Sequence, residues 1–515
     1  MQQDLVEYGA RRVIITITAV FCALLEIVDT TIVNVALTDM KGSLGATMGE
    51  IGWVITAYSL ANVIIVPLTS WLSQQFGRRN YFAVSIVIFT LASFLCGNAT
   101  NLWELVAFRF LQGLGGGALL VTSQTIITES YPIEKRAMAQ AIYGLGIIVG
   151  PTLGPPLGGY IVDNFSWPYI FYINIPIGIA ATLLTLSFVR SPQYTAKKKA
   201  SEVDWLGIAL LAIGIGSLQF VLEKGQEEDW FASSLILTLT ITAFFGMFFF
   251  IWRELVAKNP VVSLRVLRHR NLSIGSILSF VLGFGLFGST FIIPLYTQSM
   301  LGWTAQQAGV LMIPSTIFVA FMMPIVGQMI QRGVPQKYMI AIGMTIFFLY
   351  SYGCAKILTP WTGSEHFFWI LILRGLGMGL LSIPISTMSL STLRGKEIGE
   401  GAAISGMMRQ LGGSFGIAII STFITRQVSI HAGTLSTHLS ATDPLVQERM
   451  NAAPNLQLAI ASLYGSVMKQ ATLLAYIDVF LYIGIMFLIC APLVLIFVKR
   501  GQSNPAALKA AAGAH

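Results

Sequence analysis

The sequence has few charged residues. Asp, Glu, Lys and Arg make up 10% of the 515 residues, whereas a soluble protein carries about 25%. Hydrophobic residues account for 55% of the chain, and the mean hydropathy is +0.73. A water-soluble enzyme of ordinary composition is therefore excluded, and the composition predicts a polytopic membrane protein in a lipid bilayer.

Cysteines and nucleotide-binding motifs are also scarce. The four cysteines, Cys22, Cys96, Cys354 and Cys490, all lie in apolar runs, so they indicate buried hydrophobic residues and not a disulfide framework or a metal site. The chain has no G-x-x-x-x-G-K-[ST] loop for ATP. It also has no evident nucleophile–base pair. We therefore expect neither an enzyme nor an ATP-driven pump, with no metal and no cofactor.

Long apolar runs follow one another along the chain. A helix needs about 20 mostly apolar residues to cross a bilayer. The sequence therefore predicts an all-α membrane protein with fourteen spans, at residues 13–37, 51–72, 80–98, 103–127, 138–162, 168–189, 205–222, 232–252, 272–296, 305–330, 338–358, 367–391, 402–425 and 471–498.

Lys and Arg are distributed unevenly between the predicted loops. With the N-terminus inside, most of the 31 basic residues lie in inner loops, and only Arg109, Arg374 and Arg409 fall inside spans. The positive-inside rule therefore predicts that both termini are cytoplasmic. It also accounts for the net charge of +8, which then does not indicate a nucleic-acid partner.

The first six predicted spans recur as the last six. Glycines and prolines match at nearly constant spacing, in the pairs Gly45–Gly302, Gly52–Gly309, Pro67–Pro324, Gly113–Gly375, Gly115–Gly377, Gly117–Gly379, Gly150–Gly412 and Gly154–Gly416. Two six-helix halves in the same orientation are the plan of the major facilitator fold. We predict an N-terminal half at 1–190, an inserted helix pair with cytoplasmic linkers at 191–270, a C-terminal half at 271–500 with an outer loop at 426–470, and a cytoplasmic tail at 501–515.

Two acidic residues, Glu26 and Asp29, interrupt the first span. They are three residues apart, so about one helical turn places both on one face. A charge at the centre of a spanning helix costs about 2.5–3.5 kcal/mol on insertion scales. Both residues are therefore candidates for reversible protonation. Two alternatives stay open: structural pairing with Arg109, and attraction of a cationic substrate by Glu26.

The fourth span contains Arg109. An arginine keeps its proton, so in a span it faces a cavity or a carboxylate. Gly113, Gly115 and Gly117 follow it and allow close helix approach. In the second half Arg374 aligns with Gln112, one turn from the position of Arg109. A structural role and a functional role for Arg374 both stay open.

The fifth span combines glycines at every fourth position with prolines. Its motif comprises Gly146, Gly150, Pro151, Gly154, Gly158 and Gly159. Such glycines form a smooth helix face, and proline kinks a helix. Ordinary tight packing is the alternative interpretation.

A short basic motif, Gly77-Arg78-Arg79, follows the second span. Gly77 suits a tight turn, and the arginines anchor the inner membrane face. These arginines could alternatively serve topology alone.

Together these motifs resemble the signatures of major facilitator transporters. The fifth-span pattern is similar to the antiporter motif of exporters. The stretch at 29–37, from Asp29 through Asn34, resembles the first-span signature of the EmrB/QacA-type drug:proton antiporter family with fourteen spans. Residues 213–219, with Asp229-Trp-Phe after them, resemble the EmrB type within that family. One departure is Gln74, since most facilitators have an acidic residue there.

The resemblance implies a proton-driven multidrug exporter in a bacterial inner membrane that moves hydrophobic or amphipathic toxic compounds and confers antibiotic resistance. It implies that Asp29 carries the coupling proton, that Arg109 tunes it, and that residues 146–159 seal or hinge the two halves. It also implies a tripartite assembly with a periplasmic membrane-fusion adaptor and an outer-membrane channel. A dedicated exporter of a metabolite, fatty acid or siderophore is the alternative.

Aromatic, sulfur and polar side chains in the spans are candidate substrate contacts, because such side chains repack around varied ligands. The candidates are Asn34, Tyr58, Gln112, Tyr143, Phe284, Phe287, Met378 and Arg374. Lipid contact or helix packing is the alternative for each. Anionic substrates would use Arg374 or Arg409, which the sequence does not rank. The polar segment at 426–470 is the candidate for adaptor contact, with a solvated lid as the alternative.

Overall fold

The computed structural model describes residues 5–192, 204–257, 259–440, 442–452 and 455–497. All regular secondary structure in these ranges is helical. The predicted tail at 501–515 and residues 193–203 of the predicted linker lie outside them. The other domain boundaries stay predictions.

Eight α-helices form the part of the chain before residue 193. They are α1 (Gly9–Leu44), α2 (Met48–Ile51), α3 (Trp53–Phe76), α4 (Arg78–Gly97), α5 (Leu102–Ser130), α6 (Arg136–Asn164), α7 (Tyr169–Tyr172) and α8 (Asn174–Phe188). A 3-10 turn at Ile133–Lys135 precedes α6.

The remaining helices comprise the inserted pair and the second half. The pair is α9 (Trp205–Lys224) and α10 (Ser234–Val256). The second half contains α11 (Arg270–Leu301), α12 (Ala305–Leu311), α13 (Ile313–Gln331), α14 (Gln336–Ile357), α15 (Ser364–Leu390), α16 (Lys396–Thr437), α17 (Pro444–Ala452) and α18 (Leu456–Phe497). Short 3-10 turns at Trp230–Ala232 and Leu264–Arg268 lie in the connections.

Each predicted apolar run lies in helix where the structure describes it, but fewer than fourteen helices qualify as spans by length and composition. Among the described residues, twelve helices are long and apolar enough to cross a membrane. Helix α6, bent by 42° near Pro151, is a thirteenth if its two parts form one span. The run at 402–425 lies in α16, whose many glycines and polar residues keep it outside this set. The all-α membrane fold is thus confirmed, and fourteen spans stay a prediction.

The internal repeat is visible in the helix ends. Helices α1 and α11 both end at a glycine in the left-handed conformation, with φ of 62° at Gly45 and 70° at Gly302. Each is followed by a capping box, formed by Thr47 with Glu50 and by Thr304 with Gln307. The same local chemistry therefore turns the chain at the same place in both halves.

The glycines of α5 and α15 also pack equivalently. A Cβ on Gly113 would lie 2.5 Å from the Tyr58 carbonyl oxygen, and Gly375 meets the Ser315 carbonyl in the same way. Gly115 similarly packs on Phe89, and Gly377 on Phe347. These glycines bring α5 against α3 and α4, and α15 against α13 and α14.

The two halves meet along helices near their centre. Helix α6 contacts α12 and α13, and α16 contacts α3 and α5. Gly399 of α16 lies against Ser70 of α3, and Gly144 of α6 lies against Met323 of α13. The inserted helix α9 packs on both α3 and α16, so it covers one side of the interface between the halves.

Candidate functional site

Asp29 is the centre of a buried polar network in the first half. Its side chain is 0% exposed. Arg109 Nη1 donates to Asp29 Oδ2 at 2.6 Å, while Gln112 Nε2 and Asn174 Nδ2 donate to Oδ1 at 2.9 and 2.7 Å. Ser93 Oγ accepts from both amides, at 2.7 and 3.3 Å. The carboxylate thus has a charge partner and two further donors, and it joins helices α1, α4, α5 and α8.

Arg109 is equally well satisfied. Its Nε donates to the Val54 carbonyl at 3.2 Å, and its Nη1 also donates to Gln112 Oε1 at 2.7 Å. The guanidinium carbon lies 4.2 Å from the centre of the Tyr58 ring, a cation–π contact. Because both charges are buried and hydrogen-bonded, the Asp29–Arg109 pair has the features of a fixed ion pair.

Glu26 lies one turn away in a different environment. Its side chain is 3% exposed. Asn62 Nδ2 donates to Glu26 Oε1 at 2.8 Å, and the Tyr58 hydroxyl donates to the same oxygen at 3.4 Å. Oε2 is buried and has no hydrogen-bond partner among the described residues. Among the described residues, Glu26 therefore accepts hydrogen bonds from neutral donors on one oxygen only, and it forms no salt bridge.

The two carboxylates thus differ in what they can do chemically. An ionised carboxylate buried without a charge partner is costly, and protonation removes that cost. Asp29 is already compensated by Arg109, whereas Glu26 is not. The roles of Glu26 and Asp29 in proton coupling stay predictions.

The glycines of the fifth-span motif face α1. A Cβ on Gly150 would lie 2.6 Å from Ile27 Cγ2, one on Gly154 would lie 2.8 Å from Thr31 Cβ, and one on Gly158 would lie 2.8 Å from Ile32 Cγ1. Gly146 lies against Val20 in the same row. The motif therefore holds α6 against the helix that carries Glu26 and Asp29.

The other edge of this motif meets the second half. Gly309 lies in α12, the short helix before α13. A Cβ at this position would lie 3.0 Å from Pro155 Cβ and 3.1 Å from Pro156 Cδ. Gly159 is loosely surrounded, because the nearest atom to a Cβ at this position would be Gln306 Cβ at 3.8 Å. The bend near Pro151 separates the N-terminal part of α6 from this contact.

The loop motif Gly77-Arg78-Arg79 is held by a buried ion pair. Gly77 has φ of +83°, a conformation that favours glycine. Arg78 binds both carboxylate oxygens of Glu129, with Nη2 to Oε1 at 3.1 Å, at the end of α5. The Arg79 backbone N–H donates to Ser191 Oγ at 3.1 Å. Gln74, which departs from the family pattern, donates to Ser70 Oγ at 3.3 Å.

Arg374 does not repeat the Arg109 arrangement. It is buried, and its three nitrogens donate to the hydroxyls of Ser289, Ser315 and Thr290 at 2.7–2.9 Å. By the spacing of Gly45 and Gly302, the positions of Glu26 and Asp29 correspond to Gly283 and Leu286. The paired carboxylates therefore belong to the first half alone.

The remaining substrate candidates lie in varied surroundings. Tyr58 and Gln112 belong to the acidic network, Met378 is buried in the second half, and Asn34 is exposed. Phe284 and Phe287 pack on Gly416 and Gly413 of α16. Substrate contact at each of these positions stays a prediction.

A cavity between the halves contains another of the candidates, Tyr143. Its lining combines apolar and polar side chains from both halves: Gln140, Tyr143, Gly144 and Ile147 of α6, Leu282 and Leu286 of α11, Ser382, Ile383 and Ser386 of α15, and Arg409 of α16. Arg409 interacts electrostatically with the Tyr143 hydroxyl and with Glu26. Of the two arginines that the sequence did not rank, Arg409 is therefore the one that lines a cavity.

Sequence reasoning missed several members of the site. Asn62, Asn174 and Ser93 hydrogen-bond the two carboxylates or their partners, and Glu129 pairs with Arg78. Asn62 and Asn174 each interrupt an apolar run, which is a signal that a search for isolated amides in spans would have found. Ser93 gives no such signal, because serine is common in helices that span membranes.

Comparisons with known proteins agree with this architecture. The model of the Major Facilitator Superfamily matches residues 19–417. The multidrug export protein EmrB of Escherichia coli (strain K12) is 33% identical over 92% of this chain and 92% of that protein. The fatty acid resistance protein FarB of Neisseria gonorrhoeae is 33% identical over 94% of this chain and 96% of that protein.

The fold is also that of solved transporters. The human organic anion transporter MFSD10 (TETRAN) superposes with a TM-score of 0.58 at 13% sequence identity, over 93% of this chain and 100% of that chain. At this identity the likeness concerns the fold alone. The family match and the full-length relatives together assign the sequence: this multi-pass membrane protein belongs to the Major Facilitator Superfamily, in the group that contains the EmrB export proteins.

Proposed function

We propose that this protein is a proton-coupled multidrug exporter that moves hydrophobic or amphipathic toxic compounds out of the cell by alternating access. The observation that carries the proposal is Glu26, a buried carboxylate beside the Asp29–Arg109 ion pair. One of its oxygens has no hydrogen-bond partner among the residues that the structure describes. Relatives named as multidrug export proteins, 33% identical over 92% of the chain, support the substrate class.

In this mechanism Glu26 takes up a proton from one side and releases it to the other. The Asp29–Arg109 ion pair and its hydrogen-bond partners hold α1, α4, α5 and α8 together around it. Since Arg409 of the cavity interacts electrostatically with Glu26, substrate in the cavity and the proton on Glu26 influence each other. This linkage is what coupling requires, because each ligand must change the affinity for the other.

The experiment uses purified protein in proteoliposomes with a pH-sensitive dye inside. The panel comprises tetraphenylphosphonium, rhodamine 6G and dodecanoate, which differ in head-group charge. We expect at least one compound to dissipate an imposed pH gradient, and Glu26→Gln to abolish this response while its melting temperature stays near that of the wild type. A wild-type protein that moves no protons with any of the three contradicts the proposed function.

A fatty-acid exporter on the same machinery is the second candidate. The observation that favours it is Arg409, a cation in a cavity that also has apolar walls, together with the similarity to the fatty acid resistance protein FarB. The same panel separates the two candidates. A response to dodecanoate alone favours the dedicated exporter, and a response to chemically unrelated compounds favours the multidrug exporter.

We further propose that the protein lies in a bacterial inner membrane with both termini cytoplasmic, and that it works with a periplasmic adaptor and an outer-membrane channel. Helices α16 and α18 each have 42 residues, or about 63 Å, against about 30 Å of hydrocarbon. They therefore extend beyond the bilayer on the outer side. Near the outer ends of their predicted spans, His431 Nε2 and Asp478 Oδ2 join the two helices at 2.8 Å. This extension is the surface that we propose for the adaptor.

A further inference from the structure

The inserted helix α9 contributes a carboxylate to the interior of the bundle. Glu223 lies at the outer end of α9, one residue beyond the run predicted to span the membrane. Gln219 Nε2 donates to Glu223 Oε1 at 2.8 Å, whereas Oε2 is buried without a partner of normal geometry among the described residues. Facing it on α3 are the hydroxyls of Thr56 and Ser59.

These hydroxyls begin a polar stripe that leads to Glu26. Thr56, Ser59 and Asn62 are spaced three residues apart on α3, so each is a surface neighbour of the next on the helix. Thr56 and Asn62 are buried, and Asn62 donates to Glu26 at 2.8 Å. The stripe spans six residues, or about 9 Å along the helix axis. One side of α3 therefore connects the two buried carboxylates.

The outer end of this stripe is close to water. Glu227, Glu228 and Asp229 follow Glu223 in the connection to α10, and all three are exposed. Lys224, buried beside Glu223, forms a salt bridge with Glu227 at 2.6 Å. The Trp53 and Phe220 rings, each one turn before Thr56 and Glu223 along its helix, also join α3 and α9, with ring centres 5.5 Å apart.

We propose that Glu223 is the outer proton relay for Glu26, and that α9 was inserted between the halves in a position that supplies it. Glu223 takes a proton from outer water and releases it along Ser59 and Asn62, with water completing the chain, to the ionised carboxylate of Glu26. The proton is the only species transferred, so Glu223 returns to its carboxylate form. This inference rests on the proposed proton coupling and on the proposed orientation.

The test compares Glu223→Gln with Glu228→Gln in proteoliposomes. Glu228 is the matched control, because it is an exposed acid of the same connection. Two rates are measured with the panel compound that gives the largest signal, in tritiated form: uptake driven by a pH gradient, and counterflow, in which labelled and unlabelled compound exchange with no gradient. Only the first requires protons to pass through the protein.

We expect Glu223→Gln to slow gradient-driven uptake about 100-fold, the low end of what a positioned proton-transfer group contributes, and to leave counterflow within a factor of two of the wild type. Glu223→Asp should restore most of the rate, and Glu228→Gln should match the wild type. Equal loss of both rates in Glu223→Gln would mean a structural role and would overturn the relay. The relay would also be overturned if the wild type showed coupling and Glu223→Gln showed unchanged gradient-driven uptake. A wild type without coupling would instead refute the proposed function.

Discussion

Asp29 and Glu26 share one face of α1, yet their partners give them different chemistry. Asp29 accepts hydrogen bonds from Arg109, Gln112 and Asn174, which lie on two other helices. Glu26 accepts from Asn62 and Tyr58 on α3, and its second oxygen has no partner among the described residues. A fixed charge needs compensation, and a titrating group needs a neutral state that its surroundings accept. In the proposed mechanism the same kind of side chain therefore serves two roles one helical turn apart.

This division predicts different effects on stability. Asp29→Asn leaves the Arg109 cation buried without a counter-charge, and breaking a buried pair by removing one partner costs about 3–5 kcal/mol. We expect a clear fall in the melting temperature of the purified Asp29→Asn protein and little change for Glu26→Gln. Thermal unfolding in detergent, followed by tryptophan fluorescence, measures both.

A double variant serves as the control. Asp29→Leu combined with Arg109→Met removes both charges, so its melting temperature should recover relative to Asp29→Asn. If Asp29→Asn melts like the wild type and loses only proton movement, Asp29 is the proton carrier and the division of roles is wrong.

At the scale of helices, the fifth-span motif has two edges with different neighbours. Gly150, Gly154 and Gly158 bring α6 against α1 within the first half, and Pro155 and Pro156 lie against Gly309 of the second half. A change at the interface between halves can therefore be passed through α6 to the helix that carries both carboxylates. The bend near Pro151 lies between Gly150 and the later contacts, at residues 154–158.

The glycine edge can be tested with a matched pair of substitutions. In Gly154→Ala the new Cβ would lie 2.8 Å from Thr31 Cβ and 3.1 Å from the Ile32 backbone nitrogen, so α1 and α6 must move apart. Overpacking of this kind costs about 1–3 kcal/mol. We expect Gly154→Ala to lose most of its gradient-driven transport and Gly159→Ala, whose nearest neighbour is 3.8 Å away, to retain it. Equal rates in the two variants would mean that close approach of α1 and α6 is unimportant.

For the whole molecule, apolar runs, charge placement and the glycine repeat were sufficient to predict an all-helical membrane protein with two related halves. The ends of the repeat could be read because Gly45 and Gly302 act locally on the backbone. The partners of Asp29 could not be predicted from the sequence, since Asn174 is distant in sequence and reaches Asp29 only once α8 packs on α1. Glu223 was missed for another reason: a carboxylate at the end of an apolar run looks like a loop residue until its burial against α3 is known.

The part of the molecule that extends beyond the bilayer yields the prediction about assembly. Leu456, Ile460 and Tyr464 form a stripe on α18, four residues apart, and are 60%, 55% and 65% exposed. They precede the run predicted to span the membrane at 471–498, so in the proposed orientation this apolar stripe faces outer water, where a contiguous apolar surface is costly unless a partner covers it.

We expect Ile460→Ser with Tyr464→Ser to abolish adaptor-dependent resistance in cells. The purified variant should still move protons with the panel compounds, because the stripe is remote from Glu26. Thr434→Ala with Ser436→Ala, on the exposed part of α16, is the matched control and should behave as the wild type. Full resistance in the stripe variant, with the adaptor co-expressed and required, would exclude this surface as the docking site.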